Sequence, residues 1–317
     1  MMKGSLKSIL LLGLFLLLSF FPFLFPDPYL IHLLILSFLF SVLVSNWNIL
    51  FGYMGIFCFG QQAFFGIGAY SSALLALKLG VPIPLSIVFG GFVASLSSVL
   101  IGLPTLRLQG AYVALVTLAF AEVVRMTCSN WVGMTRGQLG LTVPALISGA
   151  DRVGYYYVAF LLFLMSTMVL LKVMRSSFGY VTVAIRESQE AADSLGINVI
   201  KYKISAFLLS SFMSGLAGAL YAHYIRILTP DIMSLPLMIT ILVMGMLGGI
   251  GTLPGPILGT FVLTFLSEYL RDLAQFRFII YGALIILAVL FVPGGLVSGL
   301  RFVEKKLKGK RFQEGSS

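Results

Sequence analysis

Charge is what this sequence has least of. Acids and bases make up only 10% of its 317 residues, against 59% hydrophobic residues. A soluble domain averages about 25% charged residues, so this chain cannot clothe itself in polar surface, and its solvent is a bilayer. The alternating segments of roughly ten residues that build a transmembrane barrel are also missing, which leaves helices. Cysteine and histidine occur twice each, and neither Cys58 nor Cys128 lies in a metal-like spacing. The topology expected below puts the two thiols near opposite membrane faces, far beyond the ~7 Å Cα limit for a disulfide. No G-x-x-x-x-G-K-[ST] phosphate loop is present, so nothing here cradles ATP. No cluster of acids and histidines, and no nucleophile with its base, falls at midplane depth. An enzyme, a metal site and a cofactor are therefore not expected.

Long apolar runs fill the space that charge leaves. Stretches of about 20 apolar residues, enough to cross ~30 Å of hydrocarbon, fall at 6–25, 29–51, 56–77, 82–103, 108–128, 155–175, 203–223, 233–253, 255–272 and 277–298. The expected fold is an all-α polytopic membrane protein of about ten transmembrane helices, with residues 1–317 as one domain. The first run reads as a retained span, because "FPFLFPDP" offers no small-residue cleavage site. Gly and Pro crowd the connections "FGYMG", "GVPIP" and "LGGIGTLPGP", and the 46–62 region reads as partly broken helix. Such breaks survive in a bilayer only where protein or a water-filled cavity satisfies the freed backbone.

The net charge of +10 invites a nucleic-acid reading, yet the basic residues sit between and beyond the apolar runs, as orientation signals do. No nucleic-acid partner is expected. With both termini cytoplasmic, 14 of the 21 Lys and Arg lie inside and seven outside, which satisfies the positive-inside rule. That arrangement makes 129–154 an external loop, 176–202 a cytoplasmic loop and 301–317 a basic cytoplasmic tail.

The most polar internal stretch is "AIRESQEAADSLGIN", residues 184–198. It predicts one helix over 182–195, ended by Gly196 in the left-handed conformation with Ile197 folding back onto Ala192. Ala184, Ser188, Ala191 and Leu195 fall on one face, beside Glu187, Glu190 and Asp193. That stripe is too small to anchor in lipid, which calls for bulky side chains. It suits a groove on another protein, and the plainer alternative is a solvated connector.

Arg186-Glu187, then Ala191-Ala192, then Gly196 resembles the "EAA" coupling loop of ABC importer permeases. "NWNILFGYMGIFCFGQQAFFGIGAYSSALL" (46–75), "LPTLRLQGAYVALVTLAFAEVVR" (103–125), "GLAGALYAHY" (215–224), "MGMLGGIGTLPGPILGT" (244–260) and "FVPGGL" (291–296) are similar to the branched-chain amino-acid permease family. The likeness covers about residues 45–300 and is to the LivM-type subunit rather than the LivH-type one. Gln61-Gln62-Ala63 departs from the usual His or Gln followed by two small residues. The resemblance implies a multi-pass permease domain of the cell (inner or plasma) membrane. It also implies a second, LivH-type permease subunit, two separate ATP-binding cassette ATPase subunits, an external solute-binding protein and an amino-acid substrate. The coupling residues are then Arg186, Glu187, Glu190, Ala191, Ala192, Leu195 and Gly196. An ion-coupled secondary amino-acid transporter acting alone is the alternative.

Four residues are candidates for the translocation path. An ionisable side chain in hydrocarbon costs at least ~2.5 kcal/mol unless it faces protein or water, which singles out Glu122 with Arg125. They are read either as a receiver for a zwitterionic solute or as a structural ion pair at headgroup level. Glu268 with Arg271 has the same two readings. Gln61 and Gln62 follow the glycine-rich break, where they would line the path or cap freed backbone. His223 reads as an interfacial hydrogen-bonder. The small residues spaced by four in "GIGAY", "SGLAG" and Gly245/Gly249 read as helix-packing surfaces, with pore lining as the bolder alternative.

Overall fold

A computed structural model describes residues 17–105, 108, 110–147, 152–270, 279–283, 286, 295–296 and 298. Most of the first and last expected spans, Arg107, Arg271 and the tail 301–317 lie outside them. The other eight expected spans are helices: α1 Pro28–Asn48, α2 Gln61–Lys78, α3 Ile83–Thr105, α4 Ala111–Asn130, α5 Arg152–Met174, α8 Val199–Ile225, α9 Leu235–Gly248 and α10 Pro254–Tyr269. Between α5 and α8 lie α6 Ser177–Glu187 and α7 Gln189–Ser194. Among the described residues, five helices are long and apolar enough to cross a membrane: α1 with its extension to Tyr53, α3, α4, α5 and α8.

Successive spanning helices run in opposite directions, so their ends fall into two sets. At one end, Arg152 Nη1 donates to the Pro28 carbonyl at 2.8 Å and the Tyr29 hydroxyl donates to Glu268. This end also holds a two-stranded antiparallel ladder, β1 Leu141–Thr142 with β2 Ile227–Leu228, in which Leu141 faces Leu228. It is called the strand end below. The opposite, break end holds α6, α7 and the irregular connection from α1 to α2.

Local chemistry explains the elements. Asp27 caps α1, accepting from the Tyr29 amide at 2.8 Å, with Pro28 at the first helical position. The helix is apolar all round and therefore buried. Its Phe38 ring stacks on Phe163 at 5.3 Å and meets Tyr156 edge-on at 5.4 Å. The expected glycine packing surfaces are present between α2, α3 and α8. A Cβ at Gly218 would lie 1.9 Å from the Phe65 carbonyl oxygen, and one at Gly68 would lie 2.2 Å from that of Gly215. Only residues without side chains let these backbones meet.

Two expected spans are shorter than the hydropathy suggests. α9 and α10 have 14 and 16 residues, roughly 21 and 24 Å of helix, less than the ~30 Å of a bilayer core. The glycines and prolines of 249–256 divide the apolar run between them.

Candidate functional site

The site is built around the break. α1 ends in a π-helical turn, Ile49–Tyr53, and the chain stays non-helical until Gln61. This segment lies deep in the bundle, because Gln61 contacts Ser210, eleven residues or ~16 Å along α8 from its start. Backbone at that depth needs partners, and it has them. Trp47 Nε1 donates to the Cys58 carbonyl at 2.8 Å, and the Phe59 amide donates to Thr117 Oγ1 at 2.9 Å. The Ile56 amide reaches back to the Leu50 carbonyl at 2.8 Å. Thr117→Val keeps the shape and removes one acceptor, leaving the partly buried Phe59 amide unpaired, which costs about 1 kcal/mol. The purified protein should melt at a lower temperature in detergent, whereas Thr127→Val on the exposed side of the same helix should not change it.

A buried polar chain braces the break. Asn46 donates to Ser166 Oγ at 2.9 Å, Ser210 donates to the Asn46 carbonyl at 2.7 Å, and Gln61 Nε2 reaches Ser210 at 3.0 Å and Ser214 at 2.5 Å. Four helices, α1, α2, α5 and α8, are thereby tied together. Gln61 and Gln62 are both buried, and Gly60, not a glutamine, occupies the cap of α2. The capping role considered for these amides belongs instead to Trp47 and Thr117.

The polar loop forms two helices, not one. Ser188 is extended (φ −158°, ψ 110°) and its hydroxyl accepts from the Ala191 amide at 3.2 Å, so α6 stops and α7 starts there. The end of α7 is as expected. Gly196 has φ +80°, and the Ile197 amide bonds the Ala192 carbonyl at 3.1 Å. Ala184, Ser188, Ala191 and Leu195 are exposed, the last to 81%, and Glu187 and Glu190 are exposed beside them. Ala192 is buried against the bundle and is not part of the outward surface.

Arg186 also turns inward. Its Nη1 donates to the Gly52 carbonyl at 2.8 Å, inside the π-helical turn, while Nη2 pairs with Glu187 at 2.8 Å. Its stem passes so close to Gly55 that a Cβ there would lie 2.8 Å from Arg186 Cγ. A second tie escaped the sequence reading: Lys203, nearly buried, donates to Gln189 Oε1 at 2.7 Å and holds α7 to α8. A lysine four residues into an apolar helix was the available signal. Between α6–α7, the break and the start of α4 lies a cavity of about 340 Å3, lined by Met54, Phe57, Val113, Arg186, Glu190 and Lys203.

Glu122 and Arg125 form a two-point ion pair on α4, with Arg125 Nε to Glu122 Oε2 at 2.9 Å. The pair is partly exposed, and α4 is the least buried of the five long helices. Glu122 lies eight residues, ~12 Å, from the end of α4. His223, two residues from the end of α8, is a hydrogen-bonder as expected, and it is fully buried within the bundle. Its ring nitrogens reach Ser72 Oγ at 2.9 Å and the Pro144 carbonyl at 2.8 Å, and the Tyr155 hydroxyl donates to its own carbonyl at 2.9 Å. It locks the strand end.

Known proteins share this sequence pattern. The chain is 29% identical over 290 residues to the high-affinity branched-chain amino acid transport system permease protein LivM of Escherichia coli, covering 83% of this chain and 68% of that one. It is 24% identical over 296 residues to the LivH permease protein of the same organism, covering 84% and 93%. To the autoinducer 2 import system permease protein LsrC of Klebsiella pneumoniae it is 32% identical over 225 residues, covering 67% and 62%. No solved structure matches the chain. A family model described as branched-chain amino acid transport system / permease component matches residues 29–292, from the start of α1 to beyond α10. With its broken helix α1, glycine-packed core and small-striped helix pair inside that match, the chain belongs to the family of branched-chain amino acid transport system permease components.

Proposed function

We propose that this chain is the LivM-type transmembrane subunit of an ATP-binding cassette importer that moves branched-chain or related amino acids across the cell membrane. Two separate ATPase subunits supply the energy, a LivH-type permease completes the membrane part and an external solute-binding protein delivers the solute. In this arrangement ten spans put both termini and the break end in the cytoplasm and the strand end outside. The supporting observation is the helix pair α6–α7. Its outward face is small and acidic (Ala184, Ser188, Ala191, Glu187, Glu190) while its inward face is fixed by Arg186, Ala192 and Lys203. Such an element hands force from an outside groove to the bundle. The test is uptake of labelled leucine by proteoliposomes holding this chain with its LivH-type partner and ATPases, supplied with binding protein and ATP. Uptake by this chain alone, driven by an ion gradient, would overturn the reading in favour of a secondary transporter.

Glu122 and Arg125 are proposed to face the path or the partner permease, because a partly exposed ion pair turned to hydrocarbon would carry the penalty of a charge in lipid. Glu122→Gln keeps the volume and leaves Arg125 unpaired. The variant should still assemble with its partners, and uptake should fall by roughly tenfold, the size of a typical coupling between sites. Loss of the protein from the membrane would mean that the pair is structural. Gln61 acts behind the wall of the path, bracing the break through Ser210 and Ser214, with Gln62 buried beside it.

A further inference from the structure

We propose that Arg186 is a positioning residue that carries the movement of α6–α7 directly into the broken turn of α1 and, through it, into the turn between α9 and α10. This rests on the ATPase-coupled reading above and adds to it a route that bypasses the helices flanking the polar loop.

The route is a chain of short contacts. Arg186 Nη1 donates to the Gly52 carbonyl at 2.8 Å, and a π-helical turn is where a backbone carbonyl is free to take an outside donor. One turn earlier, Asn48 clamps the facing loop, donating from Nδ2 to the Thr252 carbonyl at 2.9 Å and accepting at Oδ1 from the Gly251 amide at 2.9 Å. Gly52 itself fits against both: a Cβ there would lie 2.0 Å from Asn48 Oδ1 and 2.5 Å from the Gly251 nitrogen. The guanidinium also borders Gly251, where a Cβ would lie 3.4 Å from Nη1. One side chain from the loop therefore bears on two irregular turns that are about 200 positions apart in sequence and touch each other.

Geometry makes this a rod and not a loose charge. The arginine stem is wedged against Gly55, whose φ of +70° and missing side chain leave room for it. Its other arm is held by Glu187 at 2.8 Å, so the fork is oriented at both ends. The cavity of about 340 Å3 beside it, floored by Met54 and Phe57, gives the break somewhere to move. The moving parts lack a regular ladder, since 54–60 is non-helical and is held by single bonds to Leu50, Trp47 and Thr117. A tilt of α6–α7 pulls on Gly52 before it can displace the glycine-packed core of α2, α3 and α8.

The test uses the assembled importer in proteoliposomes, with Cys128→Ser so that Cys58, buried in the break, is this chain's reporter thiol. Alkylation of Cys58 by N-ethylmaleimide is followed with and without ATP plus vanadate, alongside solute uptake, ATP hydrolysis and ATPase co-purification. The unsubstituted chain should show a nucleotide-dependent alkylation rate. Arg186→Met, which keeps the stem and loses the donors, should abolish that dependence and lower uptake per ATP roughly tenfold, with hydrolysis and co-purification retained. Arg186→Lys should restore part of both, and Arg175→Met, removing an exposed cation at the same end, should change neither. The proposal is overturned if Arg186→Met keeps the nucleotide response and uptake, if it sheds the ATPases, or if Cys58 ignores nucleotide in the unsubstituted chain. A failure of this kind with ATP-driven uptake intact in the unsubstituted importer removes only the arginine link. Absence of ATP-driven uptake there removes the coupling reading itself.

Discussion

Ala191→Arg should leave the permease in the membrane at its normal level, strip it of its ATPases and abolish ATP-driven uptake. Ala191 is exposed in the first turn of α7, where its amide closes the Ser188 cap and its methyl group faces outward. A substitution on such a surface changes folding stability by about 0.5 kcal/mol or less, so the bundle does not register it. A groove that accepts a methyl group does register it. On the coupling reading the added side chain separates the two backbones, and it brings a charge into a contact fitted to a methyl group while Glu187 is already paired with Arg186. Full association and uptake in the variant would reduce α6–α7 to a connector. The measurement is co-purification through a tag on the permease, read beside uptake.

Gly218→Val should have the opposite signature, with no permease in the membrane at all. The Cβ alone would stand 1.9 Å from the Phe65 carbonyl oxygen, and that obstacle is backbone, not a side chain that can swing away. Overpacking a core costs about 1–3 kcal/mol when side chains absorb it. Here α2 and α8 would have to separate, which also opens the backbone contact of Gly68 with Gly215 and stretches the Gln61 hydrogen bonds to Ser210 and Ser214. Gly80→Ala is the informative contrast. Gly80 sits at φ +62° with nothing within 4 Å of its Cβ position, so alanine there meets only the ~1–2 kcal/mol of a left-handed residue. Membrane levels measured by immunoblot should be near zero for Gly218→Val and close to normal for Gly80→Ala. Equal levels would show that α2 and α8 can part without loss of the fold.

Five of the spans and the break were legible because they depend on local composition. Hydropathy finds a run of lipid-compatible residues wherever the chain runs through the bilayer, and the glycines of 52–60 announce a ladder that cannot continue. The Gly196 stop was legible for the same reason, since a single residue type tolerates that backbone. The kink at Ser188 was not, because a serine caps a helix only if the preceding turn gives way, and the packing of Ala192 and Ile185 against the bundle decides that. The direction of Arg186 was equally hidden, since its acceptor lies 134 positions earlier in the chain. Hydropathy also counted 233–253 and 255–272 as full spans, because glycine and leucine both pass an apolar filter while only one of them extends a helix. The burial of Gln61 shows the remaining gap: an amide beside a break looks like path lining until its serine partners on α8 are known.

The shortness of α9 and α10 has a consequence for the membrane around them. Leu258, Val262, Phe265 and Tyr269 form the exposed line of α10, and eleven residues of helix rise only ~16 Å. α3, by contrast, has 23 residues, or ~34 Å, and it faces outward from Leu85 to Leu103. Lipid along one side of the protein therefore meets a tall wall and along another a low one. A bilayer answers such a step by thinning locally or by tilting its neighbours, at a fraction of a kcal/mol per ångström. The thin place falls beside the turn at 249–253, the turn that Asn48 clamps to the break. Acyl-chain length thus enters the mechanics of this permease at the one corner where its backbone is already loosened.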